Sequence, residues 1–116
     1  MVLAIVDDLM FASKIKTAGG QLGVAVTFAR SSDAAMRAIR ENAPSLVILD
    51  LNNPRTDPLG TVAAMKGDPA TKAIPIVGYA SHVQADVIDA ARQAGVDEVM
   101  ARSAFAARLS EILAGR

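Results

Sequence analysis

Leu46-Val47-Ile48-Leu49-Asp50-Leu51-Asn52-Asn53-Pro54 is the stretch that decides the fold. An apolar run without polar alternation ends on a carboxylate, and a polar, proline-containing loop follows at once. Such a run suits a strand buried on both faces, as in a parallel sheet covered by helices. Its last side chain is delivered to the carboxyl edge of the sheet, where open α/β folds bind ligands. Asp50 therefore stands where chemistry is expected, although a lone aspartate there could equally cap the loop that follows.

Working outward, Val2 to Val6 repeats the pattern and ends in Asp7-Asp8. Phe11, Ile15, Ala18 and Leu22 then recur at helical spacing, and Gly19-Gly20 weaken that helix toward its end. Val24 to Ala29 reads as a second strand. Ser31-Ser32-Asp33 offers caps for a helix carrying Ala35, Ile39 and Ala43 on one face, closed by Pro44. Beyond the central strand, Asp57 caps a helix with Pro58 in its first turn and Leu59, Val62 and Met65 inward. Gly67-Asp68-Pro69 ends it. Ile74 to Tyr79 forms a fourth strand, weakened by Gly78. Val83, Val87, Ala91 and Ala94 define a helical stripe flanked by Ile88, and Gly95 stops it. Val96 to Ala101 makes a fifth strand. Ser103 is a cap candidate for a last helix burying Phe105, Leu109, Ile112 and Leu113.

Strands alternating with helices five times imply an α/β fold: a doubly wound, five-stranded parallel sheet with right-handed crossovers. Two strand orders fit. The flavodoxin-like (βα)5 order 2-1-3-4-5 is chosen because its switch point sets strands 1 and 3 side by side, and these are the two that end in carboxylates. The expected organisation is one domain over residues 1–116.

Composition narrows the function classes. Twelve basic and twelve acidic residues give a formal charge of zero, without the electrostatic footprint of a nucleic-acid binder. Absence of cysteine excludes disulfides, thiol catalysis and thiolate metal sites. The N-terminal apolar run is too short for a signal sequence or a membrane span, so a cytoplasmic location is expected. Three Phe, one Tyr and no Trp leave little for stacking bases or flavins.

Asp7, Asp8 and Asp50 converging on one edge would repel one another unless neutralised. A hard divalent cation such as Mg²⁺ suits an oxygen-only donor set with room for water. It would also offer a place for a phosphoryl group. Three helix-capping aspartates around a solvated edge are the plainer alternative.

With these residues in place, the chain resembles a response-regulator receiver domain over essentially its whole length. The resemblance implies that Asp7, Asp8, Asp50 and the backbone carbonyl of Asn52 bind Mg²⁺. It implies that Asp50 accepts a phosphoryl group from a histidine kinase or phosphotransfer protein, and that Pro54 is the loop proline of the family. It also implies a signalling domain whose only reactions are its own phosphorylation and dephosphorylation. A separate output protein would read the signal, and the outward residues Gln84, Asp86, Asp89 and Gln93 offer a docking face. A homodimer through the fourth and fifth elements is compatible with the sequence.

Departures cluster at one end of the site. Where receivers carry Thr or Ser at the end of strand 4, this chain has Ala80, which lacks the hydroxyl. The adjacent Ser81 would substitute only if the loop rearranged, because a one-residue step reverses side-chain direction. The usual Lys-Pro after strand 5 is Arg102-Ser103, which keeps a phosphate-contacting charge on a bulkier, planar group. The switch aromatic of strand 5 aligns with Val99, and Pro58 replaces a common Gly. These changes motivate a second expectation, a receiver-like interaction module that works without phosphorylation. His82, the only histidine, reads as an exposed helix-start residue. A haloacid-dehalogenase-type phosphatase needs a second carboxylate two residues after its nucleophile, where Leu9 or Met10 stands. A flavodoxin-type carrier needs a Ser/Thr-rich first loop, where Asp7-Asp8 would repel the flavin phosphate.

Overall fold

Short, mostly apolar segments form the sheet. In a computed structural model describing residues 1–80 and 85–115, the strands are β1 Val2–Ile5, β2 Val26–Ala29, β3 Leu46–Asp50, β4 Ile76–Ala80 and β5 Glu98–Ala101. All neighbours pair in parallel, in the order β2-β1-β3-β4-β5. The doubly wound arrangement and its strand order are those the sequence implies.

Helices α1 (Leu9–Leu22), α2 (Ser32–Asn42), α3 (Pro58–Lys66), α4 (Ala85–Ala94), α5 (Arg102–Ala107) and α6 (Leu109–Leu113) cover both faces. The two-residue period of the strands divides the core between them. Val2, Ala4, Val6, Ile48, Val77, Tyr79 and Met100 meet Phe11 and Ile15 of α1 and Phe105, Leu109, Ile112 and Leu113 of α5 and α6. Leu3, Ile5, Val47, Leu49 and Ile76 meet Ala35, Ile39, Val62, Met65 and Ala91 of α2, α3 and α4.

Helix α1 runs through Gly19-Gly20 to Leu22 instead of fading there. Gly19 is needed for packing: a Cβ at that position would lie 2.8 Å from Val26 Cγ2 and 3.0 Å from the Val24 carbonyl. The helix ends at Gly23 in the left-handed region, φ 69°.

Several expected positions differ. Leu22 and Leu59 are 43% and 42% exposed, not inward. In α3 the inward place next to Val62 is taken by Thr61, whose hydroxyl donates to the Thr56 carbonyl at 2.9 Å. Ala43 is not on the buried face of α2; it forms the C-cap at φ 42° and is exposed. Ser103 does not cap the last helix, because α5 begins at Arg102 behind Ala101, which offers no side-chain cap. That last helix is two pieces joined at Arg108. Strands β2, β4 and β5 begin two residues later than the apolar pattern suggests.

Asp57 does cap α3, accepting from the Gly60 amide at 3.4 Å, but its own backbone is left-handed, φ 43°. Its carboxylate fills the space beside Gly60: a Cβ there would lie 2.1 Å from Asp57 Oδ2. Ser81, His82, Val83 and Gln84 lie outside the described residues.

Candidate functional site

The site is the carboxyl edge where β1 and β3 run side by side, with Ile5 beside Leu49. Asp7 and Asp8 leave β1 there, and Asp50 ends β3.

Asp8 is held by the start of α1. Its Oδ1 accepts from the amides of Met10 (2.9 Å) and Phe11 (3.3 Å), as an N-cap does. Its Oδ2 accepts from the Arg102 guanidinium. Burial works against the charge of Asp8, but the Arg102 bond and the two amides together hold its pKa below the ordinary carboxylate value. Arg102 also lies over the Phe11 ring, 4.4 Å from its centroid.

Both oxygens of Asp7 are engaged. Arg30 Nε donates to Oδ1 at 2.9 Å, and Arg55 Nη1 donates to Oδ2 at 3.1 Å. The Arg30 hydrogen bond is the leading cause of a lowered Asp7 pKa.

Asp50 is different. It has no guanidinium partner among the described residues; its Oδ1 accepts the Asn52 amide at 2.9 Å in an Asx turn. Burial raises its pKa, Asn52 and Arg102 oppose the rise, and the charges of Asp8 and Asp7 add to it. Asp50 thus feels the charges of the other two carboxylates. Here the balancing charge comes from three arginines, Arg30, Arg55 and Arg102.

Arg30 and Arg55 are the site residues the sequence reading missed. The signal was available for Arg30: it follows Ala29, whose strand partner is Ile5, so it leaves the sheet beside Asp7. For Arg55 there was only its place in the loop after Asp50. That loop is internally bonded, with Asn53 Oδ1 accepting the Arg55 amide at 3.0 Å and the Thr56 hydroxyl donating to the Asn53 carbonyl at 3.1 Å. A short 3-10 turn, Pro54–Thr56, links it to α3.

The other half of the edge is apolar. Ala80 and Ala101 pair at the ends of β4 and β5, and Ala80 is buried. Val99 is partly buried against the α2–α4 side of the core. Asp86, Asp89 and Gln93 of α4 are exposed. Ser81 and His82 are outside the described residues.

As a cation site, the cluster has the right donor chemistry: oxygen ligands only, with the ionisation of Asp50 made costlier by burial and by the charges of Asp8 and Asp7. As they stand, no three acidic or imidazole side chains among the described residues are grouped closely enough to hold an ion. The two guanidiniums that bond Asp7, those of Arg30 and Arg55, are 63% and 74% exposed. Surface pairs of that kind contribute about 0–1 kcal/mol and exchange readily.

A doubly wound parallel sheet with an acidic switch-point edge defines a receiver-type α/β domain. The chain belongs to the response regulator receiver domain family, whose family model matches residues 2–114. No curated protein matches the sequence. Among solved structures, the phosphorylated cyanobacterial phytochrome response regulator RcpA is 28% identical, with a TM-score of 0.81 over 98% of this chain and 88% of that one. The Mn²⁺-bound response regulator Rcp1 is 20% identical, with a TM-score of 0.78 over 96% of this chain and 89% of that one. The chemotaxis response regulator CheY4 of Vibrio cholerae is 18% identical, with a TM-score of 0.85 over 98% of this chain and 95% of that one. At their identities, the last two relate to this chain by fold alone. Among the described residues no helix is long and apolar enough to cross a membrane.

Proposed function

We propose that this receiver domain is a phosphoacceptor of a two-component relay, taking a phosphoryl group from a phosphohistidine donor onto Asp50. The observation that carries this reading is the contrast among the three acids. Asp7 and Asp8 are held ionised by arginines, while Asp50 is half-buried, raised in pKa and, among the described residues, without a guanidinium of its own. A carboxylate with one oxygen fixed by a backbone amide and no competing cation is placed to act as a nucleophile.

In the transfer, an Asp50 oxygen forms the new O–P bond as the P–N bond to the donor imidazole breaks. The imidazole leaves with the electron pair and is protonated from solvent. The Asn52 amide orients the Asp50 carboxylate, and the Asp8 cap fixes the start of α1 beside it. Asp7, Asp8, Asp50 and the Asn52 carbonyl would hold Mg²⁺, with Arg30 and Arg55 swinging away from Asp7. When bound, the ion supplies charge neutralisation for the phosphoryl oxygens. RcpA, 28% identical, is a phosphorylated response regulator, which supports this assignment. The domain works in the cytoplasm with a histidine kinase or phosphotransfer protein upstream and a separate output protein downstream.

The phosphate-sensing end is altered. Ala80 has no hydroxyl to offer, and Arg102 is committed to Asp8 and to the Phe11 ring. Adduct formation is therefore expected to be retained and its readout changed.

The deciding experiment is intact-mass analysis after incubation with acetyl phosphate, with and without Mg²⁺, for wild type and Asp50→Asn. A Mg²⁺-dependent gain of one phosphoryl group that is lost in the variant supports the assignment. No gain, under conditions that label RcpA, would favour a module that binds its partner without phosphorylation.

A further inference from the structure

Tyr79 lies under the site and holds an unused hydrogen-bond donor. Its Cα pairs with that of Asp50 across β3 and β4, so the two side chains leave the same face of the sheet. The ring is 1% exposed and stacks on Phe11 and Phe105, at centroid distances of 4.9 and 4.7 Å. Phe11 in turn carries the Arg102 guanidinium. The Tyr79 hydroxyl is buried and has no hydrogen-bond partner among the described residues. Packing does not require it, since phenylalanine would make the same stack. A buried donor without an acceptor costs about 1–3 kcal/mol. The charges that act on it are those of Asp50, Arg102 and Asp8, so it sits in the field of the site and not at the far end of the strand. A phenol hydroxyl carries one hydrogen to donate, and an added phosphoryl oxygen would give it an acceptor.

We propose that the Tyr79 hydroxyl is a reserved donor for the phosphorylated state, bonding an oxygen of the acyl phosphate once Asp50 has been modified. It would provide, from the α1–α5 side of the sheet, a hydroxyl contact of the kind that Ala80 cannot make from the other. No proton is transferred. With acetyl phosphate, the Asp50 oxygen forms the O–P bond as the P–O bond to acetate breaks, and Tyr79 gains an acceptor. This inference rests on the assignment of Asp50 as phosphoacceptor.

The test compares wild type with Tyr79→Phe after phosphorylation by acetyl phosphate and Mg²⁺ and removal of the donor. Adduct decay is followed by intact mass, and the urea midpoint of each unmodified protein is measured. The unmodified variant is expected to be as stable as wild type or more so, while its adduct decays on the order of tenfold faster, as loss of a hydrogen bond to a charged group implies. Because Tyr79 is the only tyrosine, 3-fluorotyrosine can be incorporated there alone. Its fluorine resonance should move on phosphorylation of the wild type and stay in place in Asp50→Asn. Equal decay rates in wild type and Tyr79→Phe, or an unmoved resonance, would overturn the proposal and leave the receiver assignment intact. A wild type that forms no adduct would overturn both.

Discussion

Arg30 Nε stands 2.9 Å from Asp7 Oδ1 while Arg55 takes the other oxygen of the same carboxylate. A cation that binds Asp7 competes with a guanidinium at either oxygen. Each exposed pair contributes up to about 1 kcal/mol. Arg30→Ala and Arg55→Ala should therefore each tighten Mg²⁺ binding by up to about fivefold, and the double variant more. Titration calorimetry reads this directly, and weaker binding in either variant would contradict the competition.

Asp50 should be replaceable at a gain in stability. Its folded pKa is raised by burial, so the ionised form is disfavoured in the folded state and the penalty is present above that pKa. As pH falls through it, protonation removes the penalty. Asp50→Asn keeps an acceptor for the Asn52 amide and is expected to stabilise the protein at pH 7 by on the order of 1 kcal/mol. The gain should shrink in acid. Urea unfolding at both pH values checks it, and a gain that grows as pH falls would reverse the sign argued here.

Asp7 and Asp8 behave in the opposite sense, because their folded pKa values are lowered. Their contribution is present above the ordinary carboxylate pKa and is lost as pH falls through the folded values. Arg30→Ala should flatten the acid limb of the stability curve relative to wild type. An unchanged limb would mean that the Asp7 pair adds nothing to folding.

Arg102 joins Asp8 to the aromatic floor, and its planar group is suited to both contacts. Arg102→Ala should lower stability by about 1 kcal/mol. Arg102→Lys should recover the charge pairing but only part of the ring contact. Near-ultraviolet circular dichroism of the Phe11–Tyr79–Phe105 stack should change in both variants, more in the alanine one. Identical spectra would detach Arg102 from the floor.

Gly19→Ala pits propensity against packing. Alanine is favoured in a helix by about 1 kcal/mol. Its methyl would meet Val26 Cγ2 at 2.8 Å and a backbone oxygen at 3.0 Å. Overpacking of this kind costs about 1–3 kcal/mol, so a net loss is expected on thermal unfolding. A rise in stability would show that β2 can retreat.

The strand order was legible because two strands ending in carboxylates belong at a switch point, and Asp7, Asp8 and Asp50 do meet there. The arginines were not legible, because a guanidinium reaches far from its Cα. Arg102 leaves β5, yet it bonds Asp8 across the edge from β1. Leu59 misled because an apolar residue in a first helical turn looks inward by type, whereas the Asp57 cap sets the phase of α3. Tyr79 was counted as a strand residue; only the register, which fixes its neighbour as Asp50, gives its hydroxyl a meaning.

The loop between β3 and α3 also constrains how this sequence can change over time. Asp57 adopts a left-handed backbone while its carboxylate fills the space a side chain at position 60 would need. A larger residue at Gly60 requires the Asp57 carboxylate to swing aside and give up its cap bond. Asp57→Gly relieves the backbone, gives up a long cap bond and opens that space at once. The two positions are therefore coupled: a side chain at 60 costs the Asp57 cap bond while Asp57 remains, and costs nothing of the kind once 57 has changed.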